Sequence, residues 1–197
     1  TAAVSLSASP LQVSPGQTIT VTFSGAPGNT KDFIALYKVG VPNGQPYVSY
    51  KFLNGAKSGT LTFTAPTTLG DYEFRMFKNN TWTYLGKSNT VKVIAATGTI
   101  SGYVRDSSNN PVSYATVTDT GSGIYTWTAS NGSYTLSNIP AGNRTVSASK
   151  AGYTSQSKSV TVADGQSVSL DFNLSPTPTT GTISGYVRDS SNSPISG

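Results

Sequence analysis

The sequence contains no cysteine and no histidine, and its one glutamate is Glu73. Thiol nucleophiles, imidazole bases and the common zinc ligands are therefore missing, which removes most acyl-transfer, redox and zinc-assisted chemistries from consideration. Charged residues make up 11% of the 197, less than half of the roughly 25% usual in soluble domains. The helix-favouring residues are scarce as well, with a single methionine beside that single glutamate. No run approaches the ~20 apolar residues of a membrane-spanning helix, so membrane insertion is not expected. Disulfides are impossible, yet domains of about 80–100 residues can bury an adequate core without them.

What the sequence does have is threonine, serine, glycine, asparagine and valine, with apolar residues in short alternating bursts between turn-forming pairs. Alternation with period two marks strands with one buried face, and the fold class is all-β. In the first half, strands are expected at residues 4–8, 17–24, 32–39, 47–53, 59–64, 70–77 and 81–94. They are separated by Pro15-Gly16, Pro27-Gly28-Asn29, Asn43-Gly44, Asn54-Gly55, Ala65-Pro66 and Asn79-Asn80. Seven strands at this spacing predict a Greek-key sandwich of the immunoglobulin type. Tyr72 fits a tyrosine corner at the start of the sixth strand, and Phe74 takes the place of an antibody-domain cysteine.

The second half carries a repeat. Gly98–Tyr114 reads GTISGYVRDSSNNPVSY and Gly181–Gly197 reads GTISGYVRDSSNSPISG, identical at 14 of 17 positions and offset by 83 residues. A Pro/Thr linker, residues 175–180, separates them and is extended by composition. The expected organisation is 1–96, 97–174, the linker 175–180, and the first strand of a further copy at 181–197. That last strand cannot make a module by itself. It either begins a longer array or pairs with another chain, which makes self-association through it an expectation. Thr1-Ala2-Ala3 fits the start of a processed, exported chain.

Residues 98–174 resemble the carboxypeptidase regulatory-like domain, a transthyretin-like β-sandwich of secreted bacterial proteins. The resemblance rests on Gly98–Asp106, Pro111-Val112, Ala115–Val117, Ala129–Leu136, Ile139–Gly142 and Val146 with Lys150–Tyr153. It implies a fold and modular use, not catalysis. More weakly, the first half resembles immunoglobulin-like modules attached to secreted hydrolases and surface proteins, through Asp32–Tyr37, Gly70–Arg75 and Ser88–Val91. The two resemblances imply two tandem Greek-key β-sandwich domains in a secreted or cell-surface protein.

Chemistry is sparse. Asp71 and Glu73, two apart on one strand, are better read as a turn residue and an ion-pair partner than as a glycosidase pair. Asp106, Asn109 and Asp119 are better read as turn formers than as a calcium site. No catalytic residue, cofactor or metal is expected. Residues 1–96 hold eight basic side chains against three acidic ones, and residues 97–180 hold four of each. The basic residues are scattered without a stripe or known motif, so nucleic acid is a poor partner.

Aromatic residues are the remaining signal. If Tyr72, Phe74 and Met76 face the core, Glu73, Arg75 and Phe77 face outward. Tyr37, Tyr47, Lys51, Trp82 and Tyr84 would join Arg75 and Phe77 on a basic, aromatic sheet face suited to stacking against sugar rings. The competing account is that these rings fill core or inter-module contacts. Tyr125 and Trp127, on one face of a later strand, form a second and weaker candidate. The leading functional expectation is a non-catalytic accessory module binding polysaccharide or cell surface. The rival is a structural spacer or repeating subunit of an extracellular stalk, adhesin or filament.

Overall fold

The computed structural model describes residues 3–178 and 180–195. Among them there are seventeen strands and no helix, so the all-β expectation holds. The chain divides into two compact units. One runs through Thr99 and includes Ser137–Asn143 and Thr161–Val168; the other holds Ile100–Leu136, Arg144–Val160 and the residues from Ser169 on. Both short pieces of the first unit bind the chain near Thr97: Ala141 N–H donates to Ala96 O and Gly165 N–H to Thr97 O.

Nine strands fall before residue 94: β1 (Ser5–Ser9), β2 (Gln12–Val13), β3 (Thr18–Ser24), β4 (Phe33–Lys38), β5 (Ser49–Phe52), β6 (Gly59–Thr64), β7 (Gly70–Phe77), β8 (Tyr84–Lys87) and β9 (Val91–Val93). They form a three-stranded sheet in the order β1-β3-β6 and a six-stranded sheet in the order β2-β9-β7-β4-β5, with β8 also on β7. All pairings are antiparallel except β2 with β9. This is the immunoglobulin arrangement of two sheets with sequence-distant strands paired. Alternation makes the core: Ile19, Val21 and Phe23 of β3 are buried while the threonines between them are exposed. They pack with Leu6, Ile34, Leu36, Phe63, Tyr72, Phe74 and Met76. The corner forms as expected, with the Tyr72 hydroxyl donating to Thr68 O at 2.9 Å. Phe74 sits in the core with its ring 4.8 Å from that of Phe63.

Two details depart from the sequence reading. The chain leaves the first sheet at the cis Ser9-Pro10 bond, and the unanticipated β2 joins the other. The single strand expected over 81–94 is two. Ser88 interrupts it by accepting the Phe74 N–H at 3.0 Å, and Asn89 turns to bind both Ala8 N–H and Ala8 O.

The second half contributes β10 (Thr97–Asp106), β11 (Thr116–Asp119), β12 (Tyr125–Trp127), β13 (Ser133–Pro140), β14 (Gly142–Ser149), β15 (Gln156–Val162), β16 (Ser167–Ser169) and β17 (Phe172–Leu174). One sheet runs β13-β10-β16 with β17 also on β10, and the other β12-β11-β14-β15. The glycines of the repeated motif have a physical purpose here. A Cβ at Gly102 would lie 2.2 Å from Leu170 O, and one at Gly98 would lie 2.5 Å from Gln166 O, so β10 accepts its neighbour only without side chains there. At Gly181 and Gly185, the same motif positions in the second copy, an added Cβ meets nothing within 4 Å.

The turn that follows the motif has the same backbone plan in both copies, and the first adds a bond from the Asn110 side-chain amide to Asp106 Oδ2. Asp106 Oδ1 accepts the Ser108 and Asn110 N–H groups, and Asp189 Oδ1 accepts those of Ser191 and Ser193. Asn109 and Asn192 both adopt the left-handed conformation, at φ 65° and 64°. Arg105 and Arg188 each donate to the carbonyl of that asparagine. Ile183 and Val187 are exposed, unlike Ile100 and Val104 at the matching positions of β10, and Tyr186 is exposed like its match Tyr103.

Candidate functional site

Strand β7 is buried on both faces. Tyr72, Phe74 and Met76 face the sandwich core, and Glu73, Arg75 and Phe77 on the opposite face are buried too. The expected bare aromatic sheet face is therefore covered for much of its area. The cover is the chain's own: Phe33, Ala35, Tyr37 and Phe77 make a second apolar cluster, with Val41 and Phe52 packed on it. Val41 comes from the long connection between β4 and β5, a segment with no strand of its own that the alternation argument did not place over the sheet.

Three expected site residues are consequently not available to a ligand: Tyr37 and Phe77 are 0% exposed and Arg75 is 7% exposed. Arg75 is held in place on three sides. Its guanidinium lies 4.4 Å from the Tyr37 ring centre, pairs with Glu73 at 2.7 Å and donates to Asn43 Oδ1 at 2.9 Å. Lys87 closes the network with an ammonium 2.8 Å from the other Glu73 oxygen. Burial works to raise the Glu73 pKa, but the hydrogen bonds and charges of Lys87 and Arg75 outweigh it and hold the carboxyl below its ordinary value. The ion-pair reading of Glu73 is the one realised. Burial pushes the Tyr37 hydroxyl pKa up, against the lowering pull of the Gly44 backbone and the Arg75 charge.

Lys51 is also misplaced by the sequence reading. Its register partner is Ile34, a core residue, so it leaves the sheet on the core side, where its ammonium sits 5.7 Å from the Phe63 ring centre. Tyr50 and Phe52, paired with Ala35 and Phe33, occupy the aromatic face instead. The error has a simple origin. Tyr47 precedes β5, which begins at Ser49, so counting alternation from Tyr47 carries the parity through residues that are not extended.

The remaining aromatic residues meet around an open cleft of roughly 280 Å³ lined by Phe33, Tyr47, Tyr50, Asn80 and Trp82. Tyr47, Tyr50, Trp82 and Tyr84 are between 38% and 49% exposed. Trp82 stands edge-on to Phe33 and Phe77, at 5.8 and 5.4 Å, and Phe33 and Phe77 stack at 5.2 Å beneath it. Tyr47 lies 5.3 Å from Tyr50 and 6.1 Å from Trp82, and Tyr84 rests on Phe77 at 6.2 Å. Trp82 is presented by the β7–β8 turn, in which Asn79 and Asn80 both have positive φ, as a tight hairpin turn requires. Asp32 holds this turn: one carboxylate oxygen accepts the Asn79 N–H at 2.9 Å and the other the Asn29 N–H at 2.8 Å. Sequence reasoning missed Phe33, Tyr50 and Asn80. The Asn79-Asn80 pair was legible as a turn, and its proximity to Trp82 was the available signal.

Tyr125 and Trp127 share a face of β12 as expected, 5.5 Å apart and exposed. The acids of the second half have local partners. Asp119 is buried at the end of β11 against Arg144 and Ser122. Burial would raise its pKa, but the hydrogen bonds and charge of these partners hold it below the ordinary range. Asp106 caps its own turn, and the Asn110 amides lower its pKa. No group of three metal-ligating side chains occurs among the described residues, and no helix is long and apolar enough to cross a membrane.

Residues 99–175 match the family model described as the carboxypeptidase regulatory-like domain. No curated protein matches the chain. Among solved structures, the Bacillus anthracis TIE protein is 13% identical, covering 88% of this chain and 41% of its own, at a TM-score of 0.50. BcpA, the major pilin subunit of Bacillus cereus, is 14% identical over 88% of this chain and 71% of its own, at 0.41. A C-terminal fragment of the pilus adhesin SpaC from Lactobacillus rhamnosus GG is 10% identical over 77% of this chain and 91% of its own, at 0.41. The chain thus spans about two fifths of the length of the TIE protein, and at 13% identity that likeness is one of fold.

Proposed function

We propose, starting from the carboxypeptidase regulatory-like domain that residues 99–175 form, that this chain is a non-catalytic, architectural stretch of an extracellular or cell-surface protein. Its modules are 1–96 and 97–174, joined through the linker 175–180 to a further copy that opens at residue 181. The observation that carries this reading is the turn at Asp189, which reproduces the backbone bonds and the Asp Oδ1 acceptor bonds of the turn at Asp106. A unit that restarts with the same sequence and the same local geometry is how arrays are extended. The absence of cysteine and histidine and the pairing of Glu73 and Asp119 with cations support a non-enzymatic role. Self-association between chains through the residues from 181 on belongs to the same reading.

The test is length. Chains carrying one, two and three copies of residues 98–180 after the first module are compared by small-angle X-ray scattering and sedimentation. The maximum dimension is expected to grow by a constant step per copy. A dimension that stays flat as copies are added rules out the spacer role. A second reading, an accessory module that holds a secreted protein against polysaccharide or cell surface, is favoured by the half-exposed rings around Trp82.

A further inference from the structure

We propose that the cleft between Tyr47, Tyr50, Asn80 and Trp82 binds one uncharged pyranose ring of a polysaccharide, with Trp82 as the stacking platform. This rests on the accessory-module reading and narrows it to one site and one ligand class. The platform is pre-organised. Trp82 is braced edge-on by Phe33 and Phe77, and the backbone at Gly44 lies against the ring, where an added Cβ would sit 3.5 Å from the indole. Asp32 fixes the turn that carries it. Trp82 is nevertheless 49% exposed. A ring already braced by its neighbours loses little conformational freedom when a ligand stacks on its open part.

The polar groups of the cleft suit a polyol. Tyr47 and Tyr50 bring hydroxyls, Asn80 an amide and Trp82 an indole N–H, a mixed set of donors and acceptors. Among the described residues, the side-chain hydrogen bonds of the adjoining turn run from Asn79 to Asp32 and among Lys78, Thr81 and Thr83, and engage no side-chain atom of Asn80 or Trp82. Charge selects among glycans. Among the described residues no charged side chain lines the cleft. The two basic residues that the sequence suggested for this face do not reach the cleft: Arg75 is buried beside Tyr37 and paired with Glu73, and Lys51 leaves on the core side. An acidic sugar would find no cation here. A proline-rich peptide is the competing stacking ligand, but it needs a groove that follows several residues at ~3.1 Å each, and this cleft has only five lining residues.

The experiment titrates the full chain with cellohexaose, mannohexaose, chitohexaose, polygalacturonate and a proline-rich peptide, using calorimetry for affinity and tryptophan emission for location. The expected result is millimolar binding of at least one neutral hexasaccharide, unchanged by Trp127→Phe. Affinity should fall about tenfold or more in Trp82→Ala, a loss corresponding to one decade in Kd. Trp82→Phe, which keeps the packing, should recover part of it, and Asn80→Gly, which removes the amide and keeps the positive φ of the turn, should lose several-fold. Urea midpoints identify any variant that fails to fold, and Asn80→Gly then decides. Neutral-sugar binding that survives both Trp82→Ala and Asn80→Gly, or binding of polygalacturonate alone, overturns this site and leaves the accessory-module reading standing. Preference for the peptide overturns the ligand class. No binding of any glycan removes both the site and that reading.

Discussion

Glu73 lies on a sheet face that would ordinarily be dry of charge, and two cations make its ionised form the stable one. A carboxyl whose folded pKa is depressed contributes stability that is complete above its unfolded pKa and disappears as pH falls through the folded value. Glu73 and Asp119 are both depressed. Stability should therefore be level from neutral pH down to the ordinary carboxylate range, about 4, and decline below it. Urea midpoints from pH 7 to pH 2.5 test this. Glu73→Gln should start lower at neutral pH, because Arg75 is left buried without its partner, at a cost of about 3–5 kcal/mol. It should also show a shallower acid decline than the natural sequence. A variant with the same acid slope would mean that the Glu73 network contributes nothing to folding.

At the level of strands, the same residue type carries opposite weight in the two copies of the repeat. Gly102 faces Leu170 O at a distance that forbids a side chain, whereas Gly185 faces open space. Gly102→Ala should destabilise the chain by about 1–3 kcal/mol, the usual range for overpacking. Gly185→Ala should leave the unfolding curve unchanged, and chemical denaturation of the two variants separates them. Equal effects would contradict the strand placement. The pattern of strands was legible because alternation in stretches such as Thr18–Ser24 is unbroken and several of the turns between strands carry Asn-Gly or Pro-Gly. What alternation could not convey was the second layer over β7. That layer is made by the β4–β5 connection, which has no period to read, and by Trp82, which belongs to a turn and not to a strand. Hence Tyr37, Arg75 and Phe77 were put on the right face but wrongly expected to be bare. Lys51 was put on the wrong face because its strand starts two residues after Tyr47.

For the molecule as a whole, the expectation of a tandem organisation rests on a 17-residue repeat and a Pro/Thr linker, because near-identity at a fixed offset needs no structural knowledge to detect. The local geometry around Asp189 follows from the same identity: its side-chain bonds reach no further than four residues along the chain and its backbone bonds no further than eight, so it forms without the strands that surround Asp106. Its apolar residues Ile183, Tyr186 and Val187 bury little. A chain ending at residue 180 should thus unfold at the same urea midpoint as the full chain, and a markedly lower midpoint would mean that the segment from 181 on packs after all. The match between Gly98–Tyr114 and Gly181–Gly197 has a further consequence, for the order of events during folding. A sheet that needs β10 between β13 and β16 meets two candidates that differ at three positions in seventeen. Side-chain chemistry gives almost no discrimination between them. Exchange of like segments between neighbours is a characteristic failure of repetitive chains, so what distinguishes the correct strand from its copy is the time at which each leaves the ribosome and the length of linker that tethers it.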